Sequence, residues 1–130
     1  MELNWKDIRY QLMIKLFISQ PMRGKTDEEI LIERDKAIKS AKEYTGDDVE
    51  VLDTFFQNAP HDSKPLWFLG KSIELLSEAD VVYFATGWEN ARGCKIEHQC
   101  AEEYEITMIE NKENTTCRIF TFRNHKEEYE

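Results

Sequence analysis

Along the chain, short apolar runs alternate with longer stretches in which apolar residues recur at helical spacing. Residues 12–18 are apolar apart from Lys15 and read as a first strand. The next segment, QPMRGK, supplies Pro and Gly as turn signals, and Thr26 with Glu29 then makes a capping box. A helix is expected over about 27–44, with Ile30, Leu31, Ala37, Ile38, Ala41 and Tyr44 on one face and Gly46 closing it. Residues 49–52 read as a second, short strand. The polar and aromatic stretch 53–65 that follows is long enough for a functional lid. Leu66, Leu69, Ile73 and Leu76 mark a helix after Pro65 that should end near Ala79. The run 81–85 is apolar throughout, as a strand buried on both faces of a parallel sheet would be. A helix over about 94–104, a fourth strand at 106–109 and a fifth at 118–122 complete the pattern. The link between the last two is too short for a parallel crossover, so the fifth is expected to be antiparallel or to serve an oligomer contact.

Strands alternating with helices predict a doubly wound, Rossmann-like (flavodoxin-like) α/β sheet of three α/β/α layers, with four mainly parallel strands and an antiparallel fifth. A length of 130 residues fits one domain. The expected division is an N-terminal extension at 1–12, a single domain at 13–123 and a charged tail at 124–130. Such sheets bind ligands beyond the carboxyl ends of the strands, where strand order reverses. With the order 2-1-3-4 that crevice lies between strands one and three, and segments 20–25 and 86–93 meet there. Neither GxGxxG nor GxxxxGK[ST] occurs, which speaks against dinucleotide oxidoreductases and P-loop enzymes.

A net charge of −9 disfavours sequence-independent binding to nucleic acid or to anionic membranes, which need concentrated Lys and Arg. A small-molecule ligand is the expectation. Cys94, Cys100 and Cys117 form no CxxC pair and leave one thiol over, which fits a reducing, cytoplasmic setting; the plain reading is three small apolar residues. No apolar run approaches the length of a membrane span.

The stretch GWENARGCKIEHQCA carries the most chemistry, because it places Glu97 at the start of a helix that follows a buried strand. The positive end of the helix dipole would keep that carboxylate ionised, as a nucleophile requires. The plain alternative is a Glu that merely offsets the dipole. Arg23, Lys25 and Arg92 suit a phosphate, against the alternative of solvated loop charges. Trp88, Phe55 and Phe56 could stack on a base, with core filling as the alternative for the two Phe residues. His61, Asp62 and His98 would bind zinc only if folding gathered them, so no metal or other cofactor is expected.

The order KLFISQPMRGK, then ELLSEADVVYFATGW, then ARGCKIEHQCAEEY resembles the nucleoside 2-deoxyribosyltransferase-like superfamily over about residues 13–109. Within it, the chain is similar to an uncharacterised family of phages and bacteria that carries ISQPMRGK and GW…GC..E…A. The resemblance implies a Rossmann-like, homo-oligomeric protein that cleaves or exchanges the N-glycosidic bond of a nucleoside or nucleotide. It puts Glu97, with Ala101 in ExxxA spacing, on the nucleophile that attacks C1′ of the sugar. Arg23 and Gly24 fall on the Arg-Gly of the loop after strand one, and Gly93 on a glycine that approaches phosphate. Ser19, Gln20, Met22, Ser72, Trp88 and Arg92 complete the candidate substrate-binding set. Ser72 occupies the position where superfamily enzymes carry an Asp, which leaves Asp53 or Glu89 to act as general acid. Asp80 also matches, although a residue between a helix and a strand more often satisfies backbone N–H groups. The alternative function is a protein that binds or sequesters a nucleotide or an NAD-derived metabolite without turning it over.

Overall fold

The computed structural model describes residues 4, 13–54, 59–111 and 117–121. Within them the elements run β1 (Ile14–Ser19), α1 (Asp27–Thr45), β2 (Val49–Val51), α2 (Pro65–Leu76), β3 (Val81–Phe84), a 3-10 turn (Trp88–Asn90), α3 (Arg92–Glu103), β4 (Thr107–Asn111) and β5 (Cys117–Phe120). The strand order is β2-β1-β3-β4-β5. The first four strands are parallel, and β5 pairs antiparallel with β4. This is a Rossmann-like α/β sheet.

Because successive strand residues point to opposite faces, the register sorts the core into two halves. Leu16 and Ile18 pair with Val81 and Tyr83, and on that face they pack with Ala37 and Ala41 of α1. Phe17 pairs with Val82, and on the other face both pack with Leu76 of α2 and Ala101 of α3. One helix therefore covers the first face and two cover the second. Helix α1 is held at its start by Thr26, whose Oγ1 accepts the Glu29 N–H at 3.1 Å, and at its end by Gly46 in the left-handed conformation.

Several expected boundaries and faces move. Leu31 and Tyr44 are exposed, because α1 buries only the narrow stripe of Ile30, Ala37 and Ala41. Two alanines let the helix lie close to the sheet and turn Leu31, about 100° away on the helix, toward solvent. Helix α2 stops at Leu76 rather than near Ala79. There the Ser77 hydroxyl donates to the Glu74 carbonyl, and Glu78 and Ala79 close tight turns onto Leu75 and Leu76. Helix α3 begins at Arg92, two residues before the first periodic apolar position at Cys94, because its first turn faces a cleft and not the core. The expected strand 12–18 is seen as Ile14–Ser19, and Leu12 lies outside the described residues.

Candidate active site

Strands β1 and β3 lie side by side with both chain connections leaving from the same end, so the loops after them converge. A methyl group placed on Gly87 would sit 3.7 Å from Cγ of Pro21. Gly87 also holds φ at 87°, a turn that a side chain resists. Ser19 ends β1 two residues after Phe17 and so faces the α2–α3 layer. On α3, Cys94, Glu97 and Ala101 form the buried stripe. The two surfaces meet where the Ser19 hydroxyl donates to Oε1 of Glu97 at 3.0 Å.

Glu97 sits on the wall shared by two joined spaces. The inner chamber, about 320 Å³, is lined by Ser19, Gln20, Thr54, Ser72, Cys94 and Glu97 among others. The outer groove, about 860 Å³, adds Arg23, Lys64 and Arg92 around Phe68, Ser72 and Glu97, which line both. Met22 and Gly93 line both. Phe68 and Ser72 come from α2, four residues apart and therefore on one face, with Lys64 one turn earlier at its N-cap.

Burial dominates the electrostatics. Glu97 is 8% exposed, and loss of water pushes its carboxyl up to about 7, against the opposing hydrogen bond from Ser19. This corrects the expectation of a carboxylate kept ionised by the helix dipole. Glu97 is the sixth residue of α3, beyond the first turn in which the dipole acts. The Cys94 thiol is likewise pushed up to about 11 by burial, helped by the charge of Glu97 and opposed by a hydrogen bond with Ser19.

Of the residues singled out in the sequence, the fold gathers Ser19, Gln20, Met22, Arg23, Ser72, Arg92, Gly93 and Glu97 around this cleft. Others lie elsewhere. Asp53 and Glu89 are exposed and line neither space. Gly24 shapes the β1 loop with φ at 77° without lining the cleft. The Trp88 ring is stacked on His98, 4.1 Å between centroids and 10° between planes, and packs on Phe84, so it stays off the cleft. Lys25 pairs with Glu29 at 3.9 Å and belongs to a groove along α1 on the other side of Gln20 and Pro21, not to the cleft around Glu97. Asp80 accepts the Lys15 N–H and donates its own N–H to the Lys15 carbonyl, both at 2.9 Å, tying β3 to β1 at the end away from the cleft. His98 Nε2 meets Glu110 at 2.5 Å, and His61 pairs with Asp62 on an exposed turn. No group of metal-ligating side chains exists among the described residues. Phe55 and Phe56 lie outside them.

Thr54, Lys64, Phe68 and Cys94 were not singled out as site residues in the sequence. Two signals pointed to the last three, and none to Thr54. Cys94 precedes Glu97 by three residues, one helical turn, and Lys64, Phe68 and Ser72 recur every four.

A Rossmann-like α/β domain with one buried carboxylate in the crevice between its two central strands is the class this geometry defines. More specifically, the chain belongs to the family described as Domain of unknown function (DUF4406), whose model matches residues 14–110. No curated protein matches the chain.

Proposed function

We propose that this protein cleaves or transfers the N-glycosidic bond of a nucleoside or nucleotide, with Glu97 as nucleophile. The observation that carries the reading is Glu97 itself, a carboxylate in the wall of the cleft with one oxygen held by Ser19 at 3.0 Å. Fixing Oε1 leaves Oε2 to attack C1′. A C1′–O ester forms as the C1′–N bond breaks, and the base leaves with the bonding electrons and takes a proton. Water, or the nitrogen of a second base, then attacks C1′ and restores the carboxylate. The pair Ser19–Glu97 agrees with the motif resemblance, which implies the same role for Glu97.

A second reading is favoured by a specific observation. Apart from Glu97, no acidic side chain lines either space among the described residues, whereas glycoside cleavage ordinarily employs a pair of carboxyl groups. A protein that binds a nucleotide or NAD-derived metabolite without turnover needs no second acid.

The two readings separate on base release from a panel of nucleosides, nucleoside monophosphates and NAD-like compounds, followed by chromatography beside Glu97→Gln. Release by wild type alone establishes the glycosidic reading. Stabilisation by a ligand with no release from any compound establishes the binding one.

We propose in addition a cytoplasmic, homo-oligomeric protein. The described cysteines Cys94 and Cys100 are free, no helix among the described residues is long and apolar enough to cross a membrane, and Leu66 and Phe68 expose apolar surface beside the groove, which a second copy would cover.

A further inference from the structure

We infer that Cys94 is a positioning residue for Glu97 and that it acts through Ser19: the thiol donates to the Ser19 hydroxyl, whose own hydrogen is thereby aimed at Glu97 Oε1. Its part in turnover rests on the glycosidic reading; the coupling of the three side chains does not.

The fold gathers three buried side chains from two elements. Ser19 closes β1, and Cys94 and Glu97 lie one turn apart on the buried stripe of α3. All three line the inner chamber. The Ser19 hydroxyl has a single hydrogen, and that hydrogen goes to Glu97 at 3.0 Å. Its oxygen is then left only to accept. Ser19 and Cys94 share a hydrogen bond, and the buried thiol stays protonated near neutral pH, so the S–H is the donor of that bond. Glu97 takes its own side-chain hydrogen bond from Ser19. Cys94 therefore reaches the carboxylate by way of the hydroxyl.

A serine hydroxyl turns about its C–O bond and has several directions open to its hydrogen. Accepting from Cys94 occupies one side of the oxygen and leaves the hydrogen directed at Glu97. Each bond in a chain that runs one way polarises the next, so the thiol also strengthens the contact on Oε1. Cys100, on the same helix, is half-buried among the apolar residues of the second face and has no place in this chain of bonds. The charged groups around Glu97 are separate from it. Arg23, Lys64 and Arg92 are exposed on the outer groove, and Glu110 on β4 is taken by His98.

The test reads Glu97 in the full chain without substrate, by carbon-13 NMR of its side-chain carboxyl through a pH titration, the signal being assigned by its loss in Glu97→Gln. Cys94→Ala should raise the titration midpoint by about half a pH unit. Cys94→Ser, which keeps a donor, should restore it, and Cys100→Ala should leave it unmoved. In a Ser19→Ala background Cys94→Ala should add no further shift, because the intermediary is gone. Thermal melting confirms that each variant is folded. An unmoved midpoint, an equal shift in both backgrounds, or a Cys94→Ser midpoint that follows Cys94→Ala would overturn the inference; an equal shift would mean that Cys94 acts by packing alone. The S–H stretching band gives a reading that does not need Cys94→Ala to fold. Assigned by its loss in Cys94→Ser, the band should shift when Ser19→Ala removes its acceptor, and an unshifted band would also overturn the inference. Base release by the same variants is measured separately. A coupled titration without release from any compound would keep the chain of bonds and remove the glycosidic reading. Release by wild type with an uncoupled titration would do the reverse.

Discussion

Ser19 and Glu97 lie 78 residues apart in sequence, yet the Ser19 hydroxyl donates to Glu97 Oε1 at 3.0 Å in the interior. That bond favours the charged form of a group whose burial favours the neutral one. Ser19→Ala should therefore raise the Glu97 carboxyl further and move the acid limb of the kcat/KM profile to higher pH. Above neutrality the substitution should also cost about 1–3 kcal/mol, since an ionised Glu97 loses a donor; in acid the cost should shrink. Urea unfolding across pH and a pH–rate profile check the two halves of the statement. An unmoved acid limb would mean that the hydroxyl does not act on the carboxylate.

The raised carboxyl has a consequence for folding that needs no substrate. Between 4.5 and about 7 the folded chain holds on Glu97 a proton that the unfolded chain has released. Stability should thus fall as pH rises through that window and level off above it. Glu97→Gln has no proton to lose and should flatten the slope. The variant should overtake wild type with rising pH, by an amount of the order of 1–3 kcal/mol at about pH 8. Parallel slopes for the two proteins would show that Glu97 titrates in its ordinary range.

The buried thiol beside it predicts selective inertness. Burial pushes Cys94 up to about 11, so almost no thiolate is present near neutral pH. Iodoacetamide with peptide mass mapping should leave Cys94 unmodified in the native chain and label it once urea unfolds the protein. Rapid native labelling would mean that Cys94 is not held as a buried thiol.

Much of this architecture was legible in the sequence because it depends on local period and turn chemistry. The uniformly apolar strand β3, the Thr26–Glu29 cap and the stripe Ile30, Ala37, Ala41 each identify themselves within a few residues. The meeting of the β1 and β3 loops followed from strand order alone. The start of α3 was not legible: Arg92 and Gly93 break the apolar pattern because their side of the helix faces the cleft. Nor was the raised carboxyl of Glu97, since it follows from burial among residues from distant parts of the chain. Trp88 was read as a base-stacking ring because nothing local shows that His98, ten residues on, takes its face.

That stack defines a structural role for His98 next to the catalytic candidate. Its ring packs on both Trp88 and Phe84, which also touch each other, and its Nε2 meets Glu110, which is 5% exposed on β4. Glu110→Ala should leave the imidazole without its partner and unfasten α3 from β4, lowering stability by about 1–3 kcal/mol. Glu110→Gln, which can still accept or donate, should lose less. Urea midpoints rank the three proteins, and equal losses from both substitutions would show that the contact carries no stability.

The sharpest test of the glycosidic reading is a gain of function at Ser72. This residue lines both the inner chamber and the outer groove beside Glu97, where a second carboxyl group is missing. Ser72→Asp would place an acid opposite the nucleophile, and its proton could pass to the leaving base. A general acid contributes about 10²–10⁴ to such steps, so base release should rise if the departing nitrogen is the obstacle. The new charge also has a cost. Like charges share protons, so the Glu97 carboxyl should rise further and the optimum should narrow into a bell with limbs on either side of about pH 7. Faster release with a narrower bell would support covalent catalysis by Glu97 with a missing acid. Unchanged or absent release, with ligand affinity intact, would leave a cleft shaped for binding alone.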